Sequence, residues 1–129
     1  MYGLINFPTS RDIYIEIDGR RLAAAQSYKA KSTQDSRAVE AFGCAEPVGT
    51  VGGRVRHVLE LTRVRVLETV AEGLDFYGLE DFNVVIVKPD RKIIYSGCRW
   101  SVIGEAADLG DPVYETVSIV ASHRLEVRL

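Results

Sequence analysis

The sequence predicts a mainly β domain built from antiparallel hairpins, with one short helix. Three observations predict it. Apolar and polar residues largely alternate over residues 12–18, 54–62 and 113–128, which is the period of a half-buried strand. The dipeptides Asp18-Gly19 and Pro89-Asp90 punctuate such stretches where a chain reverses. Only residues 67–77 carry apolar side chains at helical spacing, namely Leu67, Val70, Ala71 and Leu74.

Each element follows in order. Residues 1–10 read as irregular, interrupted by Pro8. In residues 12–18, Ile13, Ile15 and Ile17 point one way and Asp12, Tyr14, Glu16 and Asp18 the other. After the Asp18-Gly19 turn, residues 21–31 predict a second strand, which closes a first hairpin. Residues 32–53 contain a polar run, then Val39, Phe42, Pro47 and Val48, then Gly49, Gly52 and Gly53. They predict a long connection with little regular structure. Loops of that length inside a compact domain are usually functional or disordered. The apolar residues favour a loop that docks on something.

Residues 54–66 predict a long strand with Val55, His57, Leu59 and Leu61 on one face. Beyond Thr62 the apolar phase moves to Val64 and Val66, the mark of a β-bulge. Gly73 and Gly78 weaken and end the helix that follows. Residues 82–88 predict a buried strand, 92–97 its return, and 99–103 a continuation past a kink near Gly97. Residues 104–111 read as a loop. In the closing strand, Val113, Val117, Ile119, Ala121, His123, Leu125 and Val127 share one parity.

Composition narrows the function. The chain has 129 residues, 47% apolar and 26% charged, which fits one globular domain over residues 1–129. No apolar run approaches the roughly 20 residues of a membrane helix, and no secretory leader is predicted. Synthesis in a cytoplasm is the expectation, with Cys44 and Cys98 reduced and structural. The net charge is −2, with 16 basic residues scattered along the chain. Concentrated nucleic-acid grip is therefore disfavoured.

No catalytic, cofactor-binding or metal-ligating residue is nominated. His57 and His123 sit on apolar strand faces with no ligand-spaced partner. There is no GxSxG elbow for a Ser-His-Asp site, and no phosphate loop around Gly49, Gly52 and Gly53. Glu72, Asp75, Glu80 and Asp81 read as a solvated face or helix caps. Arg54, Arg56, Arg63 and Arg65 read as partners for carboxylates of a neighbouring strand or subunit. Trp100, Tyr95 and Tyr114 read as core or interface packing.

What remains is architectural. Thirteen extended residues reach about 43 Å, whereas a compact chain of this size has a radius of gyration of only about 14 Å. Strands over residues 54–66 and 113–128 would span the domain. They would also leave long edges that invite pairing with another chain. A closed ring of copies would use such edges.

Several strings carry a resemblance. They are HVLELTRVRVL at 57–67, GLDFY at 73–77, FNVVIVKP at 82–89, IYSGCRW at 94–100 and ETVSIVAS at 115–122. In this order of elements the chain, over residues 11–128, resembles tail tube proteins of bacteriophages and of phage-like contractile particles of Gram-positive bacteria. The resemblance implies a β-sandwich or barrel-like subunit with one helix on its side. It implies hexameric rings that stack into a tube around a channel for DNA or other cargo. It makes residues 32–53 the loop that reaches the adjacent ring, and residues 1–10 a contact segment. It implies tail sheath, baseplate and tape measure proteins as partners. The implied location is a virion tail or phage-like particle, with no enzymatic activity and no cofactor. Asp12, Glu16 and Asp18, or Arg54, Arg56 and Glu60, are candidate channel-lining rows. The alternatives are a tube initiator or terminator ring protein, or a monomeric β-sheet binding or adaptor module.

Overall fold

A computed structural model describes residues 13–22, 27–65, 76–110 and 114–129. Among these residues the chain forms eight strands: β1 (Tyr14–Ile17), β2 (Arg20–Leu22), β3 (Ser27–Val39), β4 (Gly49–Arg65), β5 (Phe82–Val87), β6 (Arg91–Ala106), β7 (Tyr114–Ala121) and β8 (His123–Arg128). A 3-10 turn covers Phe76–Gly78. The helix expected over residues 67–77 falls almost wholly outside the described residues, which reach only its last two positions. Residues 1–10 also lie outside them.

All pairings are antiparallel and organise into two sheets that share β6. One runs β2-β1-β5-β6-β8, the other β3-β4-β7-β6. The sheets pack face to face. Ile15 and Ile17 of β1, Val84 and Ile86 of β5, and Ile93 and Tyr95 of β6 meet Leu59 and Leu61 of β4 and Val117 and Ile119 of β7 in one core. Every one of these ten side chains is at most 5% exposed. Phe76 and Phe82 close the core. The sandwich implied by the sequence is therefore present, as an open rather than a closed arrangement.

The β1–β2 hairpin turns at Asp18 and Gly19, with φ of 48° and 80°. Positive φ at both central residues is what the tight hairpin turn requires. The turn is tied to the next element: Asn83 N donates to Asp18 Oδ1 at 2.9 Å, and Asp18 N donates to Asn83 O at 3.0 Å. The strand expected over residues 21–31 is in fact divided. Its first part, in β2, stays beside β1, and its second, in β3, pairs with β4 in the other sheet. A single periodic run hid a change of sheet.

β6 passes from one sheet to the other at Gly97. Its first half pairs β5 and β8, its second half pairs β7. Gly97 has φ of +62°, and a Cβ there would lie 2.0 Å from Ser122 Oγ and 3.1 Å from Ser122 Cβ. Ser122 holds the corner from the other side, its N and Oγ both donating to Ser96 O at 3.1 Å. Gly97→Ala combines a left-handed backbone with a collision and should destabilise the subunit by about 1–3 kcal/mol. Urea unfolding reads this directly; an unchanged midpoint would mean the corner relaxes freely.

The corner also corrects the reading of the closing strand. Val117, Ile119 and Ala121 are buried, but Leu125 is 60% and Val127 39% exposed. Ser122 breaks the strand and shifts its phase by one residue. In β8 Arg124 pairs Tyr95 and Glu126 pairs Ile93 on the core side, and Arg91 Nη1 donates to Glu126 Oε1 at 2.7 Å. Leu125 and Val127 therefore turn outward.

Candidate functional site: open edges and a projecting arm

The register locates the free edges, and they match the expected ones only in part. β4 lies between β3 and β7, and β7 lies between β4 and β6. Of the two long strands predicted to offer edges, residues 54–65 are thus interior, whereas 113–128 divides: β7 is interior and β8, paired among the described residues only with β6, borders the β2-β1-β5-β6-β8 sheet. Among the described residues, the open edges of the β3-β4-β7-β6 sheet are β3 on one side and residues 99–106 of β6 on the other. Each runs longer than the two borders of the other sheet, the three-residue β2 and the six-residue β8. An unpaired antiparallel edge is a template for a further strand.

Residues 32–53, expected as a loop, are mostly a hairpin. β3 runs to Val39 and β4 begins at Gly49, with ladder pairs from Ser32↔His57 to Val39↔Gly49. Residues 33–39 of β3 extend about 23 Å past the His57 level, paired with 49–56 of β4. Val48 N donates to Val39 O at 2.9 Å to close the tip. Every residue of 29–56 is exposed on this arm, apart from the packing of its base, where Ser32 Oγ lies 2.7 Å from Nδ1 of the half-buried His57. A bulge between Gln34 and Ser36 bends it. The glycines fit that bulge, because a Cβ on Gly53 would stand 2.4 Å from Asp35 O.

The arm is costly as a free object. A two-stranded hairpin alone is at best marginally stable in water. Yet it carries exposed Val39, Val48, Val51 and Val55, and Phe42 at its tip is fully exposed. The turn after β6 presents an equally exposed Leu109. The register puts that turn at the opposite end of the sheet, since Arg65 pairs Tyr114 while His57 pairs Ala121.

The chemical candidates are dispersed. His57 meets Ser32, and its ring stands edge-on to Tyr95 at 6.3 Å. Among the described residues no carboxylate bonds the other nitrogen of His57. The exposed His123 bonds Ser122 Oγ at 3.0 Å. Glu80 and Asp81 are exposed, Asp81 with φ of 47°, and Glu72 and Asp75 lie outside the described residues. No group of three His, Cys, Asp or Glu side chains gathers among the described residues. Of the four alternating arginines, Arg54 and Arg56 are exposed; the ion pairs within the described subunit are those of Arg91 with Asp90 and Glu126. Among the described residues no carboxylate of a neighbouring strand pairs with Arg54 or Arg56, which leaves a neighbouring subunit as the expected partner. Tyr95 is core, Trp100 stacks edge-on to Tyr77 at 5.8 Å, and the Tyr114 side chain lies outside the description.

A cleft of about 470 Å³ opens beneath β3, where the two sheets part. Tyr28, Ser32, Ile93, Tyr95, Lys88 and Arg124 line it. Burial raises the Tyr28 phenol above its ordinary pKa, helped by Tyr95 and opposed by Arg91. Burial also pushes the Cys98 thiol up to about 11, so it stays protonated and unreactive at neutral pH. Cys44 is exposed near the arm tip. Iodoacetamide at pH 8 should alkylate Cys44 in the native protein and Cys98 only after unfolding. Peptide mass spectrometry checks this; prompt native labelling of Cys98 would contradict its burial.

No protein-family model and no curated protein sequence matches the chain. Solved structures do. The anti-feeding prophage tube-terminating cap matches with a TM-score of 0.75 at 7% identity, over 100% of this chain and 96% of that one. The sheath/tube terminator of an extracellular contractile injection system matches at 0.73 and 10%, over 96% and 99%. The SPP1 tail tube matches at 0.70 and 13%, over 95% and 80%. At such identities the likeness is one of fold. The chain therefore shares its fold with tail tube and tube-terminating proteins of phages and phage-like particles.

Proposed function

We propose that the chain is a structural subunit of a phage or phage-like tail tube. One observation carries the reading: the sheet that bears the projecting arm has two long unpaired edges, β3 and residues 99–106 of β6. Pairing β3 of one copy with that stretch of the next satisfies both and closes a ring. Six copies, each giving four strands, would make one continuous barrel around a channel, and closure removes every edge. The core-facing side of this sheet is occupied by Leu59, Leu61, Val117 and Ile119, so its other side faces the channel. The row of Arg54, Arg56 and Glu60 then belongs to the lining strand β4, and Glu16 and Asp18 belong to the outer sheet, Asp12 lying outside the described residues.

Residues 32–53 and 1–10 act as contact segments in this reading, and the arm joins stacked rings. The outward Leu125 and Val127 of the other sheet face sheath or baseplate partners. The chain works by assembly rather than catalysis, within a virion tail or phage-like particle made in a bacterial host. A terminator or initiator ring shares the fold but stops after one ring. Negative-stain microscopy of the concentrated protein tests the proposal. Stacked hollow rings are expected; isolated single rings would assign it to the tube end, and a persistent monomer bound to another protein would make it an adaptor module.

A further inference from the structure

We propose that the outward face of the β3-β4-β7-β6 sheet is a cationic, valine-striped lining that retains an acidic polypeptide. This rests on the tube reading above, which turns that face to the channel. Cross-strand partners in a ladder lie on the same side of a sheet. Leu59 and Leu61 point into the core, so Arg56, Val58 and Glu60 point out, and the register assigns the rest. One row reads Lys31, Val58, Val120, Arg99 across the four strands. The next reads Lys29, Glu60, Ser118, Val102. Thr33 and Arg56 begin a third.

The face thus gathers Lys29, Lys31, Arg56 and Arg99, all exposed, against the half-buried Glu60. Its sign is opposite to that of the whole chain, which carries −2. None of the four cations has an ion-pair partner among the described residues. In a ring their fields add across a narrow space bounded by low-dielectric walls, which concentrates anions.

The neutral part of the face selects the kind of anion. Val58, Val102 and Val120 are 38%, 60% and 45% exposed between the cations. Single-stranded nucleic acid is held on aromatic platforms, and these rows contain none. Duplex DNA is held through phosphates alone and gains nothing from valines. A chain with carboxylates interspersed among small apolar side chains matches both features. Repeated rings of such a face suit cargo that is stored and then released, rather than a duplex that must slide freely.

The test uses the full chain, assembled and as free subunits, with a fluorescent glutamate/alanine copolymer, poly-L-lysine and a short DNA duplex as probes. Micrographs of the same samples read assembly. Wild-type tubes should retain the copolymer at 50 mM salt and lose about tenfold of it by 500 mM, as screening predicts. The variant Lys29→Glu/Lys31→Glu/Arg56→Glu/Arg99→Glu should retain poly-L-lysine instead. Should its mutual repulsion prevent assembly, the corresponding four glutamine substitutions should assemble and retain neither polymer. Preference of wild-type tubes for the duplex, or copolymer retention unchanged by these substitutions, overturns the proposal. A preparation without rings overturns the tube reading; copolymer binding by free subunits, and its loss on charge reversal, is then still read and separates the two failures.

Discussion

Replacing residues 36–52 with Asn-Gly should leave a subunit that folds normally and makes no tubes. The excised segment comprises the outer arm and its tip, and all of it is exposed. Its removal takes nothing from the core of Leu59, Leu61, Val117 and Ile119. The remaining pair Gln34↔Val55 is then joined by a short glycine-containing hairpin loop. Shortening the connection also lowers the entropy lost on closing it. The urea midpoint should therefore stay within about 0.5 kcal/mol of wild type, the range of surface changes. Assembly should fail, because Val39, Phe42, Val48 and Val51, the exposed apolar residues offered to a neighbouring ring, leave with the segment. Long tubes from the shortened protein would remove the arm from the stacking contact.

A smaller change probes the same contact. Phe42→Ser alters one fully exposed side chain and should not move the midpoint. If the tip docks on another copy, it should raise the concentration at which tubes appear. Burying a phenylalanine is worth about 1.5–3 kcal/mol, so the shift should be at least tenfold. Light scattering against concentration reads it.

How much of this was legible in the sequence depends on what each segment buries. β1 has one face in the core, so its alternation showed, whereas β5 was legible as a short apolar run and the first half of β6 as its return after the Pro89-Asp90 turn. The turn at Asp18-Gly19, the irregularity after Thr62 and the kink at Gly97 were each legible because a specific residue type or a break in phase marks them. The register does shift between Leu61 and Val64. The arm was not legible as strand. With both faces in water, Lys31 to Val39 has no reason to alternate, and period two is a signature of half-burial rather than of extension. Gly52 and Gly53 read as flexible breakers, although they give the room that the bulge opposite Asp35 needs.

The candidate site was hidden for a different reason. Lys29, Lys31, Arg56 and Arg99 are separated by up to 70 positions, and along the chain they read as scattered charge. Only the ladder register brings them onto one face. The same holds for the edges. Strand length is visible in the sequence, but which strand is interior is a property of pairing order, so β4 and β7 were assigned edges that belong to β3 and β6, and only the β8 part of the closing run lies at a border. In β8 the misleading signal was phase. Ser122 offsets it, and Leu125 and Val127 keep the parity of the core while facing out of it.

Ile119→Pro should have the opposite signature to the arm deletion, abolishing the folded subunit itself. Ile119 is fully buried and pairs Leu59 of β4 on one side and Trp100 of β6 on the other. Proline there removes a ladder donor from an interior strand, and its ring disturbs the adjacent pairing, at about 3 kcal/mol or more. It also deletes most of an isoleucine side chain from a close-packed centre, adding about 2 kcal/mol or more. Together these approach the whole stability of a typical domain, about 5–15 kcal/mol. Ile119→Val keeps the backbone donor and should cost only about 0.5–1.5 kcal/mol, so comparing the two isolates the ladder from the packing. Circular dichroism and urea unfolding read both. A cooperative transition near the wild-type midpoint for the proline variant would place β7 at an edge, and the β3 and β6 edges would lose their claim as the ring-closing pair. Because the arm deletion spares the fold and the proline variant destroys it, failure to form tubes means different things in the two, and only the first bears on how rings stack.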